Sequence, residues 1–481
     1  MASIKKNYFY STLLNLSNIL LPLITYPYVL RIIGPEGLGK AGFAVSLASY
    51  FLIIAQFGLP YFGIKEIAKA RDDRTKLNRV FTGLFTVNMI MSIAAAAVYC
   101  VFVFSVGKLS ADKILFFAAG LVLIINLFSI DWFYSGLEEY KYIALRSVAV
   151  RMLYIVLVFV FIRKPGDYTA YVALTAFMFL AGNAVNMLMM RNKVSFDFKG
   201  MNFRPYLKPM IMIFLMGAVA SIYSKLDVVI LGFLSGDEAV GFYTANKRII
   251  VLSLALVTSL SAVLIPRMSY YAEKGMKAEF NKTAERSVNF LYFASVPVIV
   301  LCFAMPSEML RLLGGVKFLP GELSLQILSF QILLTGLAGM IATQVMLAHN
   351  DEKGMFYASL AGAAVSVPLN LLLAGNMAQN GPSIAILAAE AAVILVQLKL
   401  ASKYITFRLI KKQSLYYPVA GLAMYLCAVG LSGVIKAHYI ITAGIVGAVS
   451  LALYYGILSF VKDENTVIIY NTVKEKLWGR K

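Results

Sequence analysis

The chain has 481 residues, 60% of them hydrophobic and only 14% charged. A soluble surface needs more polar residues than that, so a water-soluble globular protein is excluded. The net charge of +20 would suit nucleic acid in a soluble protein, but here the basic residues sort by loop, which argues for a membrane and against nucleic acid.

Fourteen apolar runs follow in chain order, at 8–33, 41–63, 80–105, 114–134, 143–162, 168–190, 209–234, 242–265, 287–310, 323–346, 355–375, 383–402, 417–436 and 439–461. Each can cross about 30 Å of hydrocarbon. They read as helices, because an open strand would leave backbone groups unpaired in lipid. The first run is too long for a signal peptide and has no small-residue cleavage site after it, so it reads as a span. Its Pro22 and Pro27 predict a kink or break. Pro297 and Pro368 lie in the ninth and eleventh runs.

With the N-terminus placed in the cytoplasm, the inward segments carry 29 Lys and Arg. The outward ones carry 9, namely Arg31, Lys40, Lys108, Lys113, Arg163, Lys164, Arg311, Lys317 and Lys436. This bias puts both termini in the cytoplasm. Cys100, Cys302 and Cys427 all fall inside apolar runs and suggest no disulfide.

One short phrase occurs twice. Gly34-Pro35-Glu36-Gly37-Leu38-Gly39 and Gly236-Asp237-Glu238-Ala239-Val240-Gly241 stand 202 positions apart, each between apolar runs. This predicts an all-α polytopic membrane protein with two six-helix lobes related by a parallel pseudo-two-fold repeat, plus two extra C-terminal helices. The expected divisions are 1–200 for helices 1–6, 201–408 for helices 7–12, 409–465 for helices 13 and 14, and 466–481 for a cytoplasmic tail.

No enzymatic constellation is present, and neither a metal nor a cofactor is expected. Charges in or near the spans carry the chemical information, because a charge in hydrocarbon normally faces water or a partner. They are Arg31, Asp131, Arg146, Arg151, Lys225, Asp227, Lys247, Arg248 and Glu390. A cavity built from this mostly basic set would suit an anionic phosphate or diphosphate. Lys225 and Asp227 stand about 200° apart on an ideal helix and cannot share a lumen, whereas Tyr243 and Lys247 share a face. Asp227 and Glu390, and less directly Asp131, are candidates for coupling to an ion or proton. The charges are not duplicated with the loop: at the 202 offset Arg31 meets Phe233 and Lys247 meets Val45. Two unlike walls favour an asymmetric ligand.

The chain resembles the Wzx-type polysaccharide flippases of the MOP exporter superfamily. The resemblance rests on Leu21-Pro22 through Gly39, on Asp131-Trp132-Phe133-Tyr134-Ser135-Gly136-Leu137-Glu138, on Lys225-Leu226-Asp227 through Tyr243, and on Leu313-Gly314-Gly315-Val316-Lys317-Phe318. It implies a bacterial inner-membrane protein that turns undecaprenyl-diphosphate-linked oligosaccharide units from the cytoplasmic to the periplasmic leaflet by alternating access, for O-antigen, capsule or exopolysaccharide synthesis. It also implies membrane lipids, a proton or sodium ion, and glycan polymerase and chain-length proteins as partners, and a lipid-tail groove beside the two extra helices. The cavity role is carried over to Arg31, Arg151, Lys225, Lys247 and Arg248 on charge and depth alone. A teichoic-acid or peptidoglycan-precursor flippase would differ in its sugar cargo. A multidrug exporter would want carboxylates for cationic drugs, and a membrane glycan polymerase or ligase would want a large outward loop.

Overall fold

The computed structural model describes residues 4–199, 203–405, 412–435 and 437–477. The described residues are helical or in turns, with no strand among them. Among the described residues eleven helices are long and apolar enough to cross a membrane, and Lys113–Asn126 is a shorter apolar one, so the chain is a multi-pass membrane protein. Large apolar side chains such as Phe104, Ile114, Leu372, Leu395 and Val419 are exposed, as expected of faces that meet hydrocarbon rather than water. Packing divides the chain into two compact units, Met1–Gly241 and Phe242–Lys481.

In the first unit α1 is Ile4–Gln56, α2 Leu59–Ala70, α3 Arg74–Ser105, α4 Gly107–Ala111, α5 Lys113–Asn126, α6 Asp131–Gly136, α7 Tyr140–Phe161, α8 Tyr168–Met190 and α9 Arg204–Leu234. α10, Asp237–Val257, begins in it. The first two apolar runs thus form two helical stretches that meet at Gly34, the second run continuing into α2. Pro22 and Pro27 keep helical backbone values, and the two stretches join at the repeated phrase, at Gly34, whose φ of 69° and ψ of −177° are the non-helical values inside α1. That region of backbone space is essentially reserved for glycine. Pro35 then suits the first position of the resumed helix, where a missing N–H costs nothing. No atom would touch a Cβ at Gly34, so Gly34→Ala is expected to destabilise through backbone strain alone, by about 1–3 kcal/mol. Thermal unfolding of the purified protein in detergent measures it.

The Asp131–Glu138 stretch has a packing reason. A Cβ at Gly63 of α2 would meet the Trp132 ring, 2.7 Å from Cε3, and one at Gly136 would meet Ile67 at 2.6 Å. The two glycines let α2 and α6 lie against each other. Trp132, Phe133 and Phe81 centre the buried aromatic core of this unit. Beyond α6, Glu138 takes φ 61° and pairs with Arg71 at 2.7 Å.

In the second unit come the rest of α10, then α11 Ser259–Glu273, α12 Lys277–Ala304, α13 Pro306–Gly314, α14 Glu322–Ser329, α15 Gln331–Met340, α16 Glu352–Met377, α17 Asn380–Ala401, α18 Tyr416–Val434, α19 Tyr439–Phe460 and α20 Glu464–Leu477. A π-helical turn, Ile341–Met346, continues α15. Helices α12 and α16 run through Pro297 and Pro368. The 347–354 connection is held by Asp351, which accepts from the Tyr404 hydroxyl at 3.1 Å and pairs with Lys403 at 3.4 Å. Burial pushes the Asp351 carboxyl upward. The Gly354 amide, Tyr404 and Lys403 outweigh that and hold it below its ordinary value.

The 202-residue offset extends beyond the six-residue phrase. Shifted by it, α2 falls within α11, α3 onto α12, α4 onto α13, and α5 onto the 3-10 turn Val316–Gly321 and α14. Gly34 and Gly236 both take positive φ, 69° and 88°. The two copies also touch. A Cβ on Gly39 would strike the Asp237 carbonyl, and one on Gly241 would strike the Pro35 carbonyl. Adding 202 to Pro35 and Gly39 gives Asp237 and Gly241, so the contact is reciprocal.

Candidate functional site

The basic residues expected near a cavity take different settings. In the first unit Arg31 and Lys225 are exposed and Arg151 is half-buried. Arg151 Nη1 donates to Ser17 Oγ on α1 at 2.7 Å, which fixes a cation a turn and a half beyond Arg146. Asp227 is fully buried, so it and Lys225 lie on opposite faces of α9, as their spacing requires. Its Oδ1 accepts from the Val228 amide at 2.7 Å.

Arg146, only 7% exposed at its side chain, pairs with Asp131 at 2.7 Å. Asn186 donates to the same Asp131 oxygen at 2.7 Å, and Tyr134 and Tyr142 donate to Asn186. Removing one partner would strand a buried charge, so this network ties α6, α7 and α8 together. Arg146, Arg151, Asp131 and Asn183 line a polar cleft of ≈ 130 Å³.

In the second unit Lys247 and Arg248 are half-buried. Lys247 Nζ lies 5.3 Å from the centre of the Tyr243 ring, the pairing that the four-residue spacing predicts. Glu390 on α17 is 3% exposed. Thr335 Oγ1 donates to its Oε1 at 2.7 Å, its Oε2 has no hydrogen-bond partner among the described residues, and the Lys247 charge acts on it.

Sequence reasoning centred on full charges missed the amides around Glu390. Gln331 stands one turn before Thr335 on α15, and Gln397 two turns beyond Glu390 on the same face of α17. Gln344 lies in the π-helical turn, which packs against α17. Both side-chain amide atoms of Gln344, Oε1 of Gln331 and Oε1 of Gln397 are buried without a hydrogen-bond partner among the described residues. Glutamines in otherwise apolar spans were the available signal, since an unpaired amide there is costly. π-Helical turns recur at functional sites. Among the described residues no three His, Cys, Asp or Glu gather in a group that could hold a metal.

A second surface is apolar. Val300 and Phe303 of α12, Phe330 and Leu333 at α15, and Leu422 and Tyr425 of α18 line a groove of ≈ 350 Å³. It runs beside α18.

The family described as "Polysaccharide biosynthesis protein" matches residues 4–272. A putative O-antigen transporter of Escherichia coli (strain K12) is 24% identical over 400 residues, covering 81% of this chain and 95% of that protein. A putative O-antigen transporter of Shigella dysenteriae is 23% identical, covering 82% and 99%. The lipid II flippase MurJ in an inward closed conformation superposes with a TM-score of 0.74 at 15% identity, over 94% of this chain and 99% of that one. An inward-facing multidrug resistance MATE family transporter of the MOP superfamily gives 0.64 at 14% identity, over 80% and 94%. The fold is thus that of the MOP superfamily transporters, and by its sequence the chain belongs to the polysaccharide biosynthesis protein family.

Proposed function

We propose that this protein is a flippase that turns undecaprenyl-diphosphate-linked oligosaccharide units from the cytoplasmic to the periplasmic leaflet, for O-antigen or a related surface polysaccharide. The observation that carries the reading is the match to O-antigen transporters over nearly their whole length. The physics agrees with it. A diphosphate and its sugars crossing hydrocarbon unaided would lose hydration at every charge and hydroxyl, and each loss is expensive. Cationic side chains at Arg31, Arg151, Lys225, Lys247 and Arg248 offset that loss for the diphosphate, and the α12–α18 groove takes the lipid tail. The basic bias places both termini in the cytoplasm of a bacterial inner membrane. The likeness to a lipid II flippase favours a second reading, in which the cargo is a peptidoglycan precursor; the two readings differ only in the sugar. A glycan polymerase and a chain-length protein are the expected partners downstream.

Coupling is assigned to Glu390 and Asp227, the two buried carboxylates among the described residues, with Asp131 third because Arg146 and Asn186 already engage it. The test is translocation of an undecaprenyl-diphosphate-linked oligosaccharide in proteoliposomes under an imposed proton or sodium gradient. The expected result is gradient-driven transport by the native chain that loses its gradient dependence in Glu390→Gln or Asp227→Asn. Variants that remain fully gradient-dependent would remove the carboxylates from coupling, and a native chain that moves no glycan would end the flippase reading.

A further inference from the structure

One cavity of the first unit has no part in this account. It measures ≈ 520 Å³, within the range of small-molecule sites. Phe43, Leu115 and Phe116 form its buried floor, with the two phenylalanine rings edge to face at 5.6 Å. Lys40, Lys108, Asp112, Tyr168 and Asp237 form its polar walls. These side chains come from α1, α4, the start of α8 and the start of α10, with Asp112 just before α5. Several are already held in place. Lys40 Nζ binds Glu36 at 2.7 Å and sits 5.2 Å from the centre of the Tyr168 ring. The Tyr168 hydroxyl donates to Asp112 at 3.1 Å. Lys108 Nζ donates to the Gly232 carbonyl and lies 5.7 Å from the centre of the Phe43 ring.

The chemistry of the lining selects among ligands. Two ammonium groups and two carboxylates leave no net charge, whereas a phosphate or diphosphate site needs a cationic excess. Carboxylates accept hydrogen bonds and ammonium groups donate them, so the walls serve both sides of a hydroxyl. The floor is aromatic and apolar. A neutral ligand with hydroxyls at its edge and C–H groups on its face matches all three features, and that is a pyranose ring.

The duplicated scaffold supplies an internal comparison. At the 202 offset Phe116 becomes Phe318 but Phe43 becomes Ala245 and Leu115 becomes Lys317, while Lys40 becomes Phe242, Lys108 becomes Leu310, Asp112 becomes Gly314, Tyr168 becomes Asn370 and Asp237 becomes Tyr439. In the second unit the Phe318 ring lies over Gly314 and meets Phe242 edge to face at 6.2 Å. Of the floor only Phe116 keeps an aromatic counterpart, and none of the four charged wall residues keeps a charged one, so the charged walls are peculiar to the first unit.

We infer that this cavity is a carbohydrate-binding subsite that takes one or two sugar rings of the glycan at the outward face. The inference rests on the proposed translocation for its cargo, and on the basic bias that assigns Arg31, Lys40, Lys108 and Lys113 to the outward side.

Saturation-transfer NMR on the purified full-length protein in detergent tests it, with maltose, lactose, mannobiose and N,N′-diacetylchitobiose as probes and inorganic phosphate as competitor. The expected result is transfer to the ring protons of at least one disaccharide that phosphate does not displace. Asp112→Asn and Lys108→Gln should each weaken that disaccharide about tenfold, the effect of losing one charge-assisted hydrogen bond. Lys141→Gln, an exposed residue near the start of α7, should leave it unchanged. Lys108 is exposed, so its variant remains informative if Asp112→Asn fails to fold. No transfer to any of the four sugars, displacement by phosphate, or binding that survives both wall variants would each overturn the inference. Wall-dependent sugar binding by a protein that moves no lipid-linked glycan would preserve the subsite and refute the flippase.

Discussion

Gly39→Ala and Gly241→Ala are each expected to cost about 3 kcal/mol, the upper part of the range for overpacking a tight contact. In both cases the new methyl group meets a backbone carbonyl, of Asp237 or of Pro35, rather than the end of a movable side chain. A Cβ on Gly39 would also come within 3.0 Å of the Gly241 nitrogen, and one on Gly241 within 3.0 Å of the Pro35 Cα. No rotamer relieves such a clash, so one chain segment must move. Gly217 in α9 is the control, because nothing lies within 4 Å of a Cβ placed there. Gly217→Ala should be neutral or slightly stabilising, given alanine's better helix propensity. Thermal unfolding midpoints and folded yield in detergent would show the contrast. Three indistinguishable variants would mean that the two phrases do not touch in the membrane.

Replacement of Arg151, Lys225 or Lys247 by Ala is expected to abolish glycan export without lowering the amount of protein. Each side chain is a cation in a span, a placement expensive enough to require a function or a partner. Loss of one charge-assisted contact to a diphosphate should cost about 1.5–3 kcal/mol, roughly ten- to a hundredfold in transport. Arg151 is held by Ser17 and Lys247 by the Tyr243 face, so both are oriented before any ligand arrives. Lys225→Arg and Lys247→Arg keep the charge and should retain part of the export. Surface polysaccharide on intact cells, with immunoblots for protein level, gives the answer. Normal export by all three Ala variants would refute the cationic pathway.

The membrane class and the helical fold were legible because hydropathy is a linear property, and a repeat at constant offset is visible in one dimension. The form of the first turn was not. A reader of residues 34–39 sees Gly-Pro and expects a loop, but one residue outside helical space is enough to break a helix and restart it. Pro22 and Pro27 looked stronger as breakers, yet the chain passes them in helical conformation. Of the candidate residues, the opposite faces of Lys225 and Asp227 and the pairing of Tyr243 with Lys247 followed from helical periodicity. Asp131 with Arg146 did not, since their meeting depends on how α6 packs against α7. Lys40 and Lys108 were read as loop charges, and the fold brings them together with Asp112, Tyr168 and Asp237 from distant parts of the chain. Gln331, Gln344 and Gln397 escaped notice because an amide carries no formal charge, and charge was the signal followed along the spans.

The reciprocal glycine contact has a consequence for ancestry. Contacts in which i meets j and j meets i arise when two identical surfaces meet across a twofold axis. A half-length forebear with one Gly-Pro phrase could have made this contact only with a second copy of itself, as a head-to-head homodimer. In that dimer a methyl group on the glycine would have struck twice. In a fused chain each side meets a different partner and is free to diverge, and here Pro35 faces Gly241 while Asp237 faces Gly39.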